Sequence, residues 1–452
     1  MIAQLARRPL AGLLIAVTVS LLAVSPAAAT KVQRVVTPGG IEAWLVREPS
    51  VPLIAVDFAF RGGASQDPTD KAGLASLTAG LLDEGAGELN SQAFHQRLEE
   101  KGVELSFSAT RDNISGSLKT LTANKAEAFE LLRLSLTAPR FDADEVERGR
   151  DQTLALLRRQ TTSPNDIASQ RWWAAAFPGH PYGRPVRGTL ESVAAITGDD
   201  IKAYARKTLA RDTLKIAIVG NIDAAEASAM VDRVFGGLPA KAELQPITPI
   251  TPQGLGNRIV VDLDVPQSIL VLGGTGIARK DPDFMAAFIV NQILGGDGMS
   301  SRLYREVREE RGLAYSVYST LVPLDHTSLF MSSTATRADR TGQTLDVLVD
   351  QISRLAASGP TAEELDKAKS FLKGSYVLRF DTSTKIAAQL VAIQLDELGI
   401  DYIDRRNSLV EAVTLADVKR VAKRLLDGNL LVTVVGRSQS MPAQAAPGKQ
   451  PG

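Results

Sequence analysis

The chain contains two copies of one folding unit, and this duplication constrains its fold more than any other feature. Ala195–Gly220 and Glu411–Gly436 share a Thr-x-x-Asp helix cap, an amphipathic helix and an apolar strand that ends at glycine. Asp142–Arg150 and Thr361–Lys369 are both capped, charged helix starts. Each pair places the same elements in the same order, which indicates that one unit is repeated along the chain.

A third, looser pair supports the duplication and indicates the fold class. Phe58–Gly85 and Ile269–Gly296 each predict a strand, a turn and an apolar helix. The three pairs follow the same chain order at offsets of 211 to 219 residues. Strands and helices do not alternate as regular βαβ units, so we predict an α+β fold. It consists of two homologous α/β-layered domains, each a mostly antiparallel sheet with helices packed on it.

The duplication also predicts the domain bounds. The N-terminal domain is expected over residues 30–240 and the C-terminal domain over residues 258–437. Residues 241–257 are rich in proline and lack a hydrophobic period, which predicts an extended linker. Residues 438–452 have the composition of a disordered tail.

Residues 1–29 have the pattern of a cleaved export signal. Arg7 and Arg8 precede an apolar run, and three alanines at 27–29 fit a signal-peptidase site. The apolar run is about 15 residues, whereas a membrane span needs roughly 20. We therefore expect a periplasmic protein. The alternative is an uncleaved segment that anchors the chain to the membrane.

Composition excludes several classes of protein. The chain has no cysteine, which rules out disulfides and thiolate metal sites and suits an exported bacterial protein. Lysine plus arginine equals aspartate plus glutamate at 51 each, so no basic excess favours nucleic-acid binding.

The segment Gly73–Gly80 (GLASLTAG) carries the strongest functional signal. It lies within Lys71–Glu84, just after a strand that ends in glycines. This frame resembles the N-terminal domain of the pitrilysin/insulinase zinc peptidases, the inverzincins, whose helix carries H-x-x-E-H. The resemblance places Ser76 and Gly80 at the zinc-binding histidines and Ala79 at the glutamate that activates water. None of the three can do those jobs.

The remaining zinc ligand of that family is also missing. It is a glutamate on a later helix, and counting from residues 147–148 puts it at Leu156, with Ala155 and Leu157 as neighbouring registers. The histidines of the chain lack neighbours at ligand spacing; they are His95, His180 and His326. We therefore expect no metal in this chain.

Other catalytic patterns are better explained as structure. The glycine clusters at 273–276 and 295–298 lack the lysine and helix start of a phosphate loop, so we interpret them as turns. Ser370–Lys373 matches S-x-x-K only formally, because its companion motifs are absent.

Ser300–Ser319 retains a second motif. Its charges predict a helix with surface ion pairs, ended by Gly312 and followed by a strand. The segment resembles the second-domain R-x₆-Y motif of the same peptidases, matched by Arg308 and Tyr315. The resemblance implies that this pair reaches another domain's zinc site and holds the substrate backbone. A guanidinium donates to peptide carbonyls, and a phenol can donate to a developing oxyanion. The alternative is a purely structural pair.

These observations lead to one main hypothesis. In the two-domain branch of that family, some peptidases are heterodimers in which one subunit holds zinc and the other supplies the Arg/Tyr pair. We expect this chain to be the non-catalytic subunit of a periplasmic zinc metallopeptidase, not a peptidase alone. It would form half of the chamber around peptide substrates, with zinc in an H-x-x-E-H partner. The alternatives are a non-enzymatic peptide-binding or scaffolding homodimer and an independent hydrolase.

Overall fold

The computed structural model describes residues 31–437, so the predictions for residues 1–29 and 438–452 lie outside the described residues. Within this part, each copy of the repeat builds one sheet. The strands of the first sheet are β1 (Val32–Val36), β2 (Glu42–Arg47), β3 (Leu53–Arg61), β4 (Glu104–Ala109), β5 (Asn113–Leu121) and β6 (Leu214–Gly220). The helices of the first half are α1 (Leu74–Ala79), α2 (Ser91–Lys101), α3 (Lys125–Thr137), α4 (Ala143–Gln160), α5 (Pro164–Ala176), α6 (Leu190–Ala194), α7 (Gly198–Thr208) and α8 (Ala224–Phe235).

The second half is built in the same way. Its strands are β7 (Arg258–Asp262), β8 (Gln267–Thr275), β9 (Ala314–Pro323), β10 (Ser328–Arg337) and β11 (Leu431–Gly436). Its helices are α9 (Phe284–Gly295), α10 (Thr341–Ser358), α11 (Ala362–Tyr376), α12 (Ser383–Leu395), α13 (Tyr402–Ala412) and α14 (Leu415–Leu426), with a π-helix at Tyr304–Glu309. No helix within residues 31–437 is long and apolar enough to cross a membrane.

Strand order confirms the predicted duplication. The first sheet has the strand order β1-β2-β6-β3-β5-β4, and the second has the order β7-β11-β8-β10-β9. If the edge strand β1 is left out, each strand of the first sheet has a counterpart at the same place in the second sheet. Each sheet contains one parallel pair, β2 with β6 and β7 with β11, and its other neighbours are antiparallel. The predicted α+β fold of two homologous, mostly antiparallel layered domains is therefore confirmed.

Central strands face two different cores because their side chains alternate across the sheet. On β3, Phe58 and Phe60 are buried among the helices of their own half. Ala55 and Ala59 point to the opposite face, where small side chains leave room for a helix to lie close to the sheet. That helix is α12, which comes from the other half of the chain.

The two halves exchange one helix each. Helix α12 packs on β3 and β6 of the first sheet, and α5 packs on β8 and β11 of the second. The two helices start 219 residues apart, at Pro164 and Ser383, so they are the same element of the repeat. Each half thus completes the core of the other. The spacing of apolar side chains predicts that a helix has an apolar face, but it does not predict which of the two sheets covers that face.

The stretch predicted as a linker contains no helix or strand and is held by hydrogen bonds to both halves. The backbone N–H of Gln245 donates to Oε1 of Gln66 at 2.7 Å, and Nε2 of Gln66 donates to the Gln245 carbonyl at 3.0 Å. Further along, the N–H of Ile250 donates to the carbonyl of His326 at 2.9 Å. These bonds hold the connection against both halves.

Candidate functional site

A buried carboxylate positions the short helix α1, on which the lost metal motif falls. Oδ2 of Asp67 accepts the N–H of Gly73 at 2.8 Å, and Oδ1 accepts the N–H of Ala75 at 2.9 Å, so two free N–H groups of the first turn are satisfied. Gly73 has φ +100°, and a Cβ there would lie 2.7 Å from the Arg187 carbonyl oxygen. Burial raises the pKa of Asp67 to about 7.

The structure places the three motif positions on or at the end of α1. Ser76 is half-buried, Ala79 is fully buried, and Gly80 is exposed and closes the helix. A hydroxyl, a methyl group and a hydrogen atom provide no imidazole or carboxylate, so these positions do not fit a zinc ion. No group of three or more His, Cys, Asp or Glu residues within residues 31–437 could hold a metal ion.

Leu156 lies on α4, which packs against α1. The two segments pack closely at Gly149 of α4. A Cβ added there would lie 3.5 Å from Cδ1 of Leu77 on α1 and 3.1 Å from Cδ2 of Leu81 just after it. Leu156 itself is half-buried, one residue before the buried Leu157. The predicted registers therefore carry apolar side chains on a helix that packs beside α1.

The charged groups after α1 form an ion-pair network instead of a metal site. Glu84 pairs with Arg148 at 2.6 Å and accepts from the hydroxyl of Ser91 at 2.6 Å. Nδ1 of His95 lies 3.9 Å from Glu84 and 2.9 Å from the Ser91 carbonyl. This histidine is thus held by its own helix.

The other two histidines lie at the junction of the two halves. His180 contacts the Thr248 carbonyl through Nε2 at 3.0 Å, and the N–H of His326 donates to the hydroxyl of Tyr182 at 3.1 Å. That hydroxyl donates to Oδ1 of Asp112 at 2.6 Å. Burial raises the pKa values of Asp112 and Tyr182. Sequence reasoning missed the bonds among Asp112, Tyr182 and His326 because these three residues lie at least 70 positions apart in the chain.

The structure brings Arg308 and Tyr315 together. Cζ of Arg308 lies 4.6 Å from the ring centroid of Tyr315 and 4.9 Å from that of Tyr304, which are cation–π distances. Tyr315 is 81% exposed. Within the described range, Arg308 forms no ion pair, whereas Arg302 and Arg311 both pair with glutamates. Tyr315 is therefore exposed and Arg308 is half-buried, and the pair has donors available for a ligand.

The segment before Tyr315 departs from the expected α-helix. The N–H of Glu310 donates to the carbonyl of Arg305 five residues back, and the turn is a π-helix. Gly312 then ends it with φ +57°, while the N–H of Leu313 donates to the Val307 carbonyl at 2.8 Å. Single π-turns are rare in proteins as a whole, and those that occur are often found at functional sites.

A β-bulge helps to expose Tyr315. Val317 pairs with Thr334 and Ala314 pairs with Thr336, so two residues of β9, Tyr315 and Ser316, stand opposite one residue of β10. A hydrogen bond from the neighbouring strand stabilises the bulge, because the Thr334 hydroxyl donates to the Ser316 carbonyl at 2.7 Å. Strand β9 is the edge of its sheet, so its outer side has no neighbouring strand in the described chain.

The first copy of the repeat has apolar residues where the second has this pair. Gly102 ends α2 with φ +57°, the value found at Gly312. Four residues before Gly102 lies Leu98 and three after it lies Leu105, and both pack on the first core. The matching sequences Glu-Glu-Lys-Gly and Glu-Glu-Arg-Gly were a signal for this correspondence. Only the second copy presents an arginine and a tyrosine here.

The family of the chain follows from two matches that together span both halves. Residues 44–190 match the family model described as insulinase (peptidase family M16), and residues 195–372 match the model described as the peptidase M16 inactive domain. The chain therefore belongs to the insulinase family of metallopeptidases. With none of the motif's ligands on α1 or α4, it is a non-catalytic member of that family.

Relatives agree with this assignment along most of the chain. A Mycobacterium tuberculosis protein named as an uncharacterized zinc protease is 28% identical over 93% of this chain and 97% of its own length. A Helicobacter pylori protein named a non-peptidase homolog is 28% identical over 74% of this chain and 77% of its own. A crystal structure of a peptidase M16 inactive domain from Pseudomonas fluorescens is 31% identical. It superposes with a TM-score of 0.85, covering 92% of this chain and all of that one.

Proposed function

We propose that this chain is the non-catalytic subunit of a heterodimeric periplasmic zinc metalloendopeptidase. It forms half of the substrate chamber and supplies Arg308 and Tyr315 to the zinc site of a homologous H-x-x-E-H partner. The observation that carries the proposal is a contrast within one chain. The three motif positions on and just after α1 carry no zinc ligand, while the Arg308/Tyr315 pair is intact, with Tyr315 exposed, and forms no ion pair within residues 31–437.

The chemistry of the pair suits an extended peptide. A guanidinium offers several N–H donors to backbone carbonyls, and the exposed phenol can donate to the carbonyl oxygen that becomes anionic during attack. The zinc ion and its activating glutamate belong to the partner in this proposal. This chain contributes substrate positioning only.

Location in the periplasm rests on residues 1–29, whose pattern is that of an export signal. Fractionation of cells that produce the full chain tests it. We expect a periplasmic form that begins near residue 30, as measured by N-terminal sequencing. A form that keeps residues 1–29 in the membrane fraction would replace cleavage by anchoring.

The main experiment reconstitutes the pair. The mature chain and an exported homologue with intact H-x-x-E-H, taken from the same genome, are purified alone and together. We expect the chain alone to hold no stoichiometric zinc and to cleave no unstructured quenched-fluorescence peptide, and the pair to hold one zinc and cleave it. A partner with Glu→Gln in its motif is the matched control, since it should assemble but not cleave.

Three results would contradict the proposal. Stoichiometric tight zinc in the isolated chain would show a metal site of its own. Peptide cleavage by the isolated chain would make it an independent hydrolase. A stable homodimer that binds peptides and ignores every H-x-x-E-H homologue would favour the scaffolding alternative.

A further inference from the structure

A cavity of about 310 Å³ lies in the second half of the molecule, between α9, β9, α12 and α13. Its size is near the lower end of the range for ligand pockets, roughly 300–1,000 Å³. The charged side chains that line it are Arg279, Arg379, Arg406 and Asp396. Aromatic rings and aliphatic side chains form most of the remaining wall: Phe284, Met285, Phe288, Leu321, Tyr376, Ile393, Leu398 and Tyr402.

Arg406 is a buried cation without a counter-ion. It is only 5% exposed and forms no ion pair within the described range. Its Nη1 donates to the Leu372 carbonyl at 2.7 Å and to Oδ1 of Asn407 at 3.0 Å, and its Cζ lies 4.4 Å from the ring centroid of Tyr376. Burial is the main cause that lowers its pKa; Tyr402 and Tyr376 oppose this, and the nearby Arg379 and Arg279 add to it. A buried, uncompensated charge is costly unless a ligand neutralises it.

The other charges of the cavity do not supply the missing anion. Asp396 pairs with Nε of Arg279 at 3.0 Å, and Nη2 of Arg279 donates to the hydroxyl of Tyr402 at 2.9 Å. Arg379 is exposed and forms no ion pair within residues 31–437. Three guanidinium groups therefore face one carboxylate, 3 − 1 = 2 positive charges in excess.

Asn291 lines the cavity but offers it no free acceptor. It is 7% exposed, and its Nδ2 donates to the Ser319 carbonyl at 3.2 Å. Its Oδ1 has no hydrogen-bond partner within residues 31–437, yet the atoms around it close it off from the cavity. The unmet need of the cavity is therefore an anionic group for the arginines.

The position of the cavity in the repeat is also informative. Adding the offset of 211 residues to Gly80 gives Asn291, and adding 219 to Leu156 gives Ser375, next to Tyr376. Asn291 and Tyr376 both line the cavity. The second copy thus has a cationic, aromatic cavity where the first copy carries the remnant of the metal motif.

We propose that this cavity binds the C-terminal end of a short peptide with an apolar last side chain. The terminal carboxylate lies among Arg279, Arg379 and Arg406, where charge-assisted hydrogen bonds are strongest. The last side chain contacts the apolar wall. An inorganic phosphate would satisfy the arginines but not the wall. The inference concerns the chain alone and does not rest on the proposed partner.

Calorimetric titration of the mature chain tests it with two matched probes, N-acetyl-alanyl-leucine and its C-terminal amide. We expect the acid to bind at least tenfold more tightly than the amide, because only the acid carries the negative charge. Arg379→Gln should weaken the acid at least tenfold and leave the amide unchanged. Arg354→Gln, on an exposed face of α10 outside the cavity, is the control and should bind as the parent does.

Replacing Arg406 would also remove its bond to the Leu372 carbonyl, so Phe288→Ala in the apolar wall gives an independent second variant, with its fold checked by circular dichroism.

 Removing its ring should weaken the acid and the amide equally, because both carry the same leucine side chain. Equal binding of acid and amide, or unchanged binding by Arg379→Gln, would overturn the proposal. Saturation by inorganic phosphate without binding of the peptide acid would assign the arginines to a phosphate group and overturn it too.

Discussion

The indole N–H of Trp172 donates to the carbonyl oxygen of Leu431 at 3.0 Å, which joins a helix of the first half to a strand of the second. The reverse exchange has its own bond, because Nε2 of Gln394 on α12 donates to the carbonyl of Ile216 on β6 at 3.0 Å. Each half therefore covers a sheet face of the other. The repeat units are interlocked, and this arrangement makes specific glycines sensitive to substitution.

Gly273→Ala should destabilise the protein. An added Cβ would lie 2.3 Å from Cζ2 of Trp172, a buried ring that is held by its bond to Leu431. Overpacking of this kind costs about 1–3 kcal/mol, measured as the free energy of unfolding in urea. Gly374→Ala is the control, since it lies in helix α11 with open space around it and should gain about 0.5–1 kcal/mol. Equal effects of the two variants would contradict the exchanged-helix contact.

Tyr315→Phe should lower kcat of the reconstituted pair by about 10²-fold, the scale of losing one donor to a developing oxyanion. Arg308→Ala should lower kcat/KM, because its donors would hold the substrate backbone. Tyr318→Phe is the matched control, as this tyrosine is also exposed on β9. Gel filtration should show the same heterodimer for every variant. Unchanged kinetics in both test variants would leave the pair a structural role.

Gly312→Ala and Gly102→Ala form a matched pair across the repeat. Both glycines have φ +57° and open space at the Cβ position, so each substitution should cost about 1–2 kcal/mol through left-handed backbone strain alone. Only Gly312 connects Arg308 to Tyr315, so only its variant should also lower peptidase activity of the pair. Thermal unfolding and kinetics are measured on the same samples. Loss of activity in both variants would point to a global effect.

Asp67→Asn should change how stability depends on pH. Burial raises the pKa of Asp67 from 3.8 to about 7, so between these values the folded state binds a proton that the unfolded state has lost. This group's contribution to the free energy of unfolding therefore falls as pH rises from about 4 to about 7, by about 1.4 kcal/mol per pH unit. The variant lacks that slope. Parallel stability curves for the two proteins would show that Asp67 titrates normally.

Much of the fold was accessible from the sequence because the repeat preserves local patterns. The capped helix starts at Thr197 and Thr414 have the predicted reciprocal hydrogen bonds in both copies. Apolar strands ending at Gly220 and Gly436 also lie where the pattern puts them. These features depend on neighbours within a few residues, so sequence spacing is enough to reveal them.

The candidate site was only partly accessible. The resemblance to the R-x₆-Y motif singled out Arg308 and Tyr315, and in the structure Cζ of Arg308 lies 4.6 Å from the ring centroid of Tyr315. The bulge that exposes Tyr315 depends on the register in which β9 pairs with β10, and the sequence of β9 alone does not specify that register. The cationic cavity joins Arg279, Arg379 and Arg406, which are up to 127 residues apart (406 − 279 = 127) and carry no motif.

The sequence by itself determined the duplication, the α+β class, the family and the loss of the metal ligands. All of these depend on residue identity and local spacing. Only the tertiary structure decided that α5 and α12 change places, since an amphipathic helix specifies an apolar face but not the sheet that buries it. The same reason applies to the cavity and to the Trp172–Leu431 bond. Contacts between distant segments depend on how the two sheets pack, and that information appears only once the chain is folded.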